Sequence, residues 1–355
     1  MGLEPFGLNE QLQHMLEQQG LEQEEVGRVI VEHKERYVVQ TEKGPVHAEI
    51  TGNLRYAAES RLDFPAVGDW VQLMIYDEQS AVILKILPRL SILERQAVGK
   101  HGERQLIATN VDYAFIMQAV GHDFNLNRLE RYLSICHAAR ITPIAILSKI
   151  DLISEEEVLE LKQQLDHRHP ELPLIVLSNE TLEGLDEVKQ QLQKGKTYCV
   201  LGSSGVGKSS LINNLLNKEQ MKVSSISEQT SKGRHTTSHR ELFVLDDGGV
   251  IIDTPGMREL GVTDKSQGLE TTFSELAELA EQCKFNDCTH TNEAGCAILE
   301  ALENGEIDED ALENFQKLKR EQARFESSVR EKRAKDKKLG KLYKNIQKEK
   351  QKRKF

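Results

Sequence analysis

The stretch Gly202-Ser203-Ser204-Gly205-Val206-Gly207-Lys208-Ser209 sets three glycines, a lysine and a hydroxyl at the spacing of a loop that wraps phosphate groups. Glycine lets the backbone curl so that successive N–H groups face an anion, and the positive end of the helix opened by Ser210 faces it too. Lys208 would reach the β- and γ-phosphate oxygens. Ser209 would bind magnesium through its hydroxyl. The required context is present, because the loop follows the apolar run Tyr198 to Leu201 and precedes Leu211-Ile212-Asn213-Asn214-Leu215.

Three further stretches complete a set. Ser148-Lys149-Ile150-Asp151 ends a buried strand, where Asp151 can accept the N1 and N2 protons of guanine; adenine offers the wrong donor pattern. Lys149 would lie along the base and support the phosphate loop, while Ser148 stands where Asn or Thr is usual and has a smaller side chain than either. Ser178-Asn179, after Leu174 to Leu177, fits the last base-reading element, whose backbone would touch the guanine oxygen. Asp253-Thr254-Pro255-Gly256 closes the run Val250-Ile251-Ile252 as a switch turn: Asp253 would hold magnesium through water and the Gly256 amide would contact the γ-phosphate.

Gly233-Arg234-His235-Thr236-Thr237 lies in a polar loop from which one threonine would complete the magnesium shell, Thr237 in preference to Thr236. Magnesium is thus expected on Ser209, Thr237 and Asp253. The position after Gly256 holds Met257, which cannot orient water. His235, beside the switch threonines, is the candidate for that work.

The order of these stretches is unusual. A nucleotide-binding GTPase ordinarily places its phosphate loop first and its base reader late, whereas here Asp151 precedes Gly202 by about fifty residues. The expected domain is therefore a circularly permuted, doubly wound α/β GTPase.

Cys283, Cys288, His290 and Cys296 supply three thiolates and an imidazole within fourteen residues, a full tetrahedral set for structural zinc with no position left for water. Cys136 and Cys199 lie in apolar contexts and read as core. Five cysteines, no apolar run of membrane-spanning length and an amino terminus unlike a signal peptide predict a reduced, cytoplasmic protein.

Four regions must position these residues. Residues 1–22 read as an arm with Leu8, Leu12, Met15 and Leu16 at helical spacing. Within 23–90, five short runs of period two, at Arg28 to Val31, Tyr37 to Thr41, Val46 to Ile50, Trp70 to Ile75 and Ala81 to Leu87, predict a β-barrel of the OB-fold kind, a common oligonucleotide binder. Residues 91–262 alternate strand and helix as the GTPase domain. Residues 263–355 are helical around the cysteines, with a long charged helix from Ala311. The net charge of -11 hides an asymmetry: residues 330–355 hold 13 Lys and Arg against 3 Asp and Glu, which leaves -21 on the rest. A basic tail on an acidic body suits a selective partner of polyanions.

A barrel, a GTPase ordered base reader, phosphate loop, switches, and a Cys-Cys-His-Cys site with a basic helix together resemble the ribosome small-subunit-dependent GTPase A (RsgA) family over nearly the whole chain. The departures are Ser148 and the unusually basic tail. The resemblance implies GTP hydrolysis to GDP and phosphate, stimulated by the 30S ribosomal subunit late in its maturation. It further implies that barrel and zinc domain grip 16S rRNA, with zinc and magnesium as the metals, no membrane partner and a monomeric protein. Two other readings are a permuted GTPase of large-subunit assembly and an RNA-binding module with a vestigial nucleotide site. A P-loop kinase would need an acceptor pocket and lid that the sequence does not offer.

Overall fold

The computed structural model describes residues 2–33, 36–96, 104–217, 240–254, 266–327 and 329. Two compact units divide the chain, Met1–Glu94 with Leu106–Leu260, and Arg95–Gln105 with Gly261–Phe355. Among the described residues no helix is long and apolar enough to cross a membrane.

In the first unit, alternation of apolar and polar residues builds β1 (Val26–His33), β2 (Arg36–Thr41), β3 (Gly44–Ile50), β4 (Trp70–Asp77) and β5 (Ser80–Ile86). On β3 the side chains of Val46, Ala48 and Ile50 point inward while those between are exposed, the period-two pattern of a half-buried strand. The strands pair in the order β1-β2-β3-β5-β4, and β4 returns to β1 through Arg28↔Trp70 and Gly27↔Val71. The five therefore close into a barrel around Val29, Tyr37, Val39, Leu73 and Ile83, with β3 and β5 the parallel pair. Between β3 and β4 lies a short helix, α2 (Gly52–Ala57), capped by Thr51; it buries no residue, so the sequence carries no apolar stripe to announce it.

The amino-terminal arm is packed. Asn9 accepts from the Leu12 amide at the start of α1 (Glu10–Gln19), and Gly20 ends it in the left-handed region. Leu3, Leu8, Leu12 and Leu16 bury against Val26, Trp70 and Leu87. At roughly 2 kcal/mol for each buried leucine, this face is enough to hold the arm down.

A two-stranded ribbon, β6 (Ile92–Gln96) and β7 (Arg104–Thr109), comes after the barrel. Then come β8 (Tyr113–Ala119), α3 (Leu126–Ala138), β9 (Thr142–Ser148), α4 (Glu155–Arg168), β10 (Leu174–Leu177), α5 (Leu185–Gln191), β11 (Thr197–Gly202), α6 (Lys208–Leu216), β12 (Glu241–Val244) and β13 (Val250–Asp253). Ser154 caps α4 in a reciprocal box with Glu157. The order β10-β9-β8-β11-β13 is parallel throughout, and its central strands are buried along their length because helices cover both faces. Strand β12 runs antiparallel beside β13 and meets β1 at Val31↔Glu241, so barrel and nucleotide domain share one eleven-stranded sheet.

The second unit holds α7 (Ser266–Thr272), α8 (Ser274–Glu281), α9 (Ala297–Glu303) and α10, residues 309–327. Its core joins Leu269, Phe273, Leu276, Ile298, Ala301, Leu312, Phe315 and Leu318. The start of β7 belongs to this unit, where the Arg104 guanidinium lies 5.8 Å from the Phe325 ring centroid. The long helix expected from Ala311 is observed through 327, and residues 330–355 fall outside the described residues.

One polar group ties the first unit together. Arg28 is 1% exposed and donates to the carbonyls of Gly68 (3.3 Å) and Asn110 (3.2 Å), to the Thr197 hydroxyl (2.9 Å) and to the Phe6 carbonyl. Arg28→Met keeps the chain length but leaves these acceptors without a donor. At about 1–3 kcal/mol for each unsatisfied buried group, the substitution should destabilise by at least about 3 kcal/mol in urea unfolding. A midpoint equal to that of the unmodified protein would exclude this role.

Candidate nucleotide site and metal centre

Parallel strands aim their carboxyl ends at one edge of the sheet, and the described segments of the expected nucleotide site lie there. The base-reading stretches leave β9 and β10, the phosphate loop leaves β11, and Asp253 ends β13. The strand order thus arranges base reader, phosphate loop and acidic residue in sequence along the edge.

The phosphate loop has the backbone its glycines allow. Gly202 has φ +142°, and a Cβ there would come within 2.3 Å of the Met117 carbonyl of β8. The Lys208 ammonium donates to the carbonyls of Gly202 (2.8 Å) and Ser203 (2.6 Å), which holds it at the rim of the loop. Ser204 and Gly205 are exposed at the tip, and Val206 anchors the loop in the core. Lys208, Ser209 and Ser210 open α6, so the helix's free N–H groups face the concavity.

The segments that follow β9 and β10 are fastened to this loop. The Ser148 hydroxyl, fully buried, donates to the Val206 carbonyl at 2.7 Å. Lys149 adopts φ +64°, a left-handed conformation uncommon outside glycine and found where structure over-determines it. Ile150 is buried, and Asp151 is exposed at the edge. One oxygen of Asp151 accepts from the buried Ser178 hydroxyl at 2.6 Å, which fixes the plane of the carboxylate. Asn179 donates through Nδ2 to the Gly207 carbonyl at 3.2 Å and accepts from Asn214 of α6. Sequence reasoning gives Asn214 no role; its signal is one of two adjacent amides, Asn213 and Asn214, within the Leu211-to-Leu216 run.

Asp253 is 4% exposed, and Thr254, fully buried, donates to the Val200 carbonyl at 2.6 Å. That bond pins the turn to the strand feeding the phosphate loop. His235, Thr236, Thr237, Gly256 and Met257 lie outside the described residues.

In the second unit, the donor atoms of Cys283, Cys288, His290 and Cys296 all lie within 4.8 Å of one another. Cys283 Sγ to Cys296 Sγ is 3.8 Å, and His290 Nδ1 is 3.6 and 3.5 Å from those two sulfurs. A tetrahedral ion with bonds of about 2.3 Å to sulfur and 2.05 Å to nitrogen has edges of about 3.8 and 3.6 Å, so Cys283, His290 and Cys296 stand at the separations such an ion needs, with Cys288 close enough to be the fourth donor. Burial, with Lys319 nearby, pushes the His290 imidazole below its ordinary value, which keeps it in the neutral form that ligates. The loop is locked from outside: Gln316 donates to the His290 carbonyl, and Glu293 accepts from the Thr289, Thr291 and Asn292 amides. The Thr289 hydroxyl and these amides hold the Glu293 carboxyl far below the usual carboxylate range. Cys136 and Cys199 are buried in the first unit, where burial pushes the Cys199 thiol up to about 12.

A family model described as RsgA GTPase matches residues 86–263. The small ribosomal subunit biogenesis GTPase RsgA 2 of Vibrio parahaemolyticus is 40% identical over 326 residues, covering 92% of this chain and 87% of that protein. The crystal structure of YjeQ from Thermotoga maritima is 27% identical with a TM-score of 0.62 and covers 83% of this chain and 96% of that one. YloQ, described as a circularly permuted GTPase, is 23% identical with a TM-score of 0.59 over 86% of this chain and 95% of its own, a likeness of fold.

Purified chain should carry one equivalent of tightly bound zinc by elemental analysis. Cys296→Ser should lose that metal and lower the helical circular dichroism, because Cys296 is also buried in the second unit's core. Native protein free of stoichiometric metal would reject the centre.

Proposed function

The chain belongs to the RsgA GTPase family, and on that footing we propose that it hydrolyses GTP to GDP and phosphate in the service of late small-subunit maturation, stimulated by the 30S particle. One observation carries the GTP reading: the carboxylate suited to guanine, Asp151, is oriented by Ser178 while Ser148 bonds the same segment to the phosphate loop. A site of that construction measures a ligand that has guanine at one end and phosphates at the other.

In this reading Asp151 accepts from guanine N1 and N2, the Asn179 amide meets the guanine oxygen, and Lys149 lies along the base. Loop amides from Gly202 to Ser209, with Ser210 behind them, bind the β-phosphate. Lys208 spans the β- and γ-oxygens, and the Gly256 amide senses the γ-phosphate. Ser209 and Asp253, with Thr237 in preference to Thr236, form an all-oxygen donor set of the kind magnesium takes. Magnesium, when bound, neutralises charge on the phosphate oxygens. His235 positions the attacking water, because Met257 offers no group for it.

The four thiolate and imidazole donors are assigned to structural zinc, which suits soft ligands with no open position. The barrel is read as an OB-fold; its order β1-β2-β3-β5-β4 with β3 parallel to β5 supports this. Together with the basic tail, barrel and zinc unit are assigned to 16S rRNA, and the protein to the cytoplasm as a monomer.

The test is GTP turnover alone, with 30S and with 50S subunits, across a range of salt. We expect at least about tenfold stimulation by 30S, worth roughly 1.4 kcal/mol of barrier, fading as salt rises, with no response to 50S. Lys208→Ala should abolish turnover in every arm. Stimulation by 50S alone would move the function to the large subunit, and an active Lys208→Ala protein would reject the site.

For His235→Ala, the expected outcome is about a hundredfold lower 30S-stimulated turnover with GDP affinity retained, the scale of losing one acid–base group. Stimulated turnover equal to the unmodified protein's would remove His235 from the mechanism.

A further inference from the structure

The segment that reads the base meets the phosphate loop through two separate contacts, and their chemistry is unequal. At the first, a serine hydroxyl stands where an asparagine amide or a threonine hydroxyl is expected. Ser148 has one proton and two carbonyls in reach, Val206 at 2.7 Å and Gln118 at 3.2 Å. A hydroxyl donates once, so the phosphate loop is held here by a single neutral bond, worth about 0.5–1.5 kcal/mol net.

The second contact is a closed ring of amides. Asn179 Nδ2 donates to the Gly207 carbonyl at 3.2 Å, and Asn214 Nδ2 lies 3.2 Å from both Asn179 Oδ1 and the Asn179 carbonyl. The Gly207 carbonyl can only accept, which fixes the Asn179 amide with nitrogen toward the loop and oxygen toward Asn214. Gly207 and Asn214 both belong to the loop-and-α6 segment, so Asn179 is gripped from two sides by the element that holds phosphate. The approach is close: a Cβ on Gly207, at φ +100°, would stand 2.6 Å from Asn179 Nδ2. Asn179 and Asn214 are both partly shielded, where such bonds are less exposed to competing water.

We infer that Asn214 is a positioning residue for guanine nucleotides: through Asn179 it sets the distance between base-reading backbone and phosphate loop, and it supplies the rigidity that Ser148 supplies only in part. The inference rests on the guanine-nucleotide reading of the site. The residue touches neither base nor phosphate in that reading, so its effect must appear in ligands that span both ends. It must also shrink when the first contact is strengthened, because two clamps on one joint are not additive.

The experiment measures the Kd of GDP by fluorescence competition for the unmodified protein, Asn214→Ala, the shape-preserving Asn214→Asp, Ser148→Asn, and Ser148→Asn combined with Asn214→Ala. The thermal midpoint of each nucleotide-free protein is recorded alongside. Asn214→Ala and Asn214→Asp should each weaken GDP about tenfold, the loss of one to two net hydrogen bonds, with midpoints within about 2 °C of the unmodified protein. In the Ser148→Asn background the loss should fall to threefold or less, on the order of 0.6 kcal/mol. Unchanged GDP affinity in both Asn214 variants would overturn the inference. So would an equal loss in both backgrounds, or a loss that merely tracks a lowered midpoint. Failure of the unmodified protein to bind GDP at all would instead overturn the guanine-nucleotide reading beneath it.

Discussion

A guanidinium out of reach of water is the constraint on which the first unit depends. Arg28 stays charged at neutral pH even though burial pushes its pKa down to about 10, with Asp112 and Asp69 acting in the opposite sense. An isolated buried charge costs several kcal/mol, so the fold exists only where the donors are satisfied. Their acceptors come from Phe6 in the arm, Gly68 in the barrel, Asn110 after the ribbon and Thr197 at the start of β11. No subset of these segments completes the set, which makes arm, barrel and nucleotide domain one cooperative body. The face of Trp70, 5.5 Å away, adds a cation–π contact from the barrel side. Thr197 and Gly202 are the two ends of one strand, so the hub and the phosphate loop are joined by about 17 Å of β11.

That strand also explains why permutation leaves the site intact. Function depends on which strand ends are neighbours, and the ladder β10-β9-β8-β11-β13 fixes this whatever the order of connection. Loops far apart in sequence are then bonded directly: Ser148 to Val206 across 58 residues, and Asn179 to Gly207 across 28. Parallel pairing is the economical way to achieve it, since each crossover helix returns the chain to the same edge.

Much of the fold and the site is legible in the sequence, for identifiable reasons. Strands buried on both faces read as unbroken apolar runs, which is why β8, β9 and β11 stand out; glycine at a phosphate loop is forced by backbone geometry; and four soft ligands close in sequence leave few other uses. The elements that the sequence conceals have no period to betray them. Helix α2 buries nothing, and the ribbon β6–β7 is half polar. The arm's docking depends on partners such as Trp70 and Leu87 that no local pattern names. Ser148 reads as a weakened base reader because its partner, the Val206 carbonyl, lies in another segment. Asn214 carries no motif at all, and only the tertiary bond to Asn179 gives it meaning.

The chain order has a mechanical consequence around β12 and β13. Residues 233–237 lead into β12, which is bonded on one side to β13 and on the other to barrel strand β1. At that junction Arg240 pairs with Glu32 of β1 at 3.5 Å, and burial raises the Glu32 carboxyl above its ordinary value despite the cation. Strand β12 is thus tied to the barrel by backbone pairing and an ion pair that has lost much of its water. On the other side, Asp253 is separated by seven residues from Gly261, where the second unit resumes. A nucleotide moves an equilibrium only through contacts that differ between its two forms, and the γ-phosphate is the difference between GTP and GDP. Strand β12 is bonded to barrel strand β1, and the chain after β13 runs on into the unit with the Cys-Cys-His-Cys cluster, so a difference felt beside these two strands has only a short stretch of chain to cross before it reaches either.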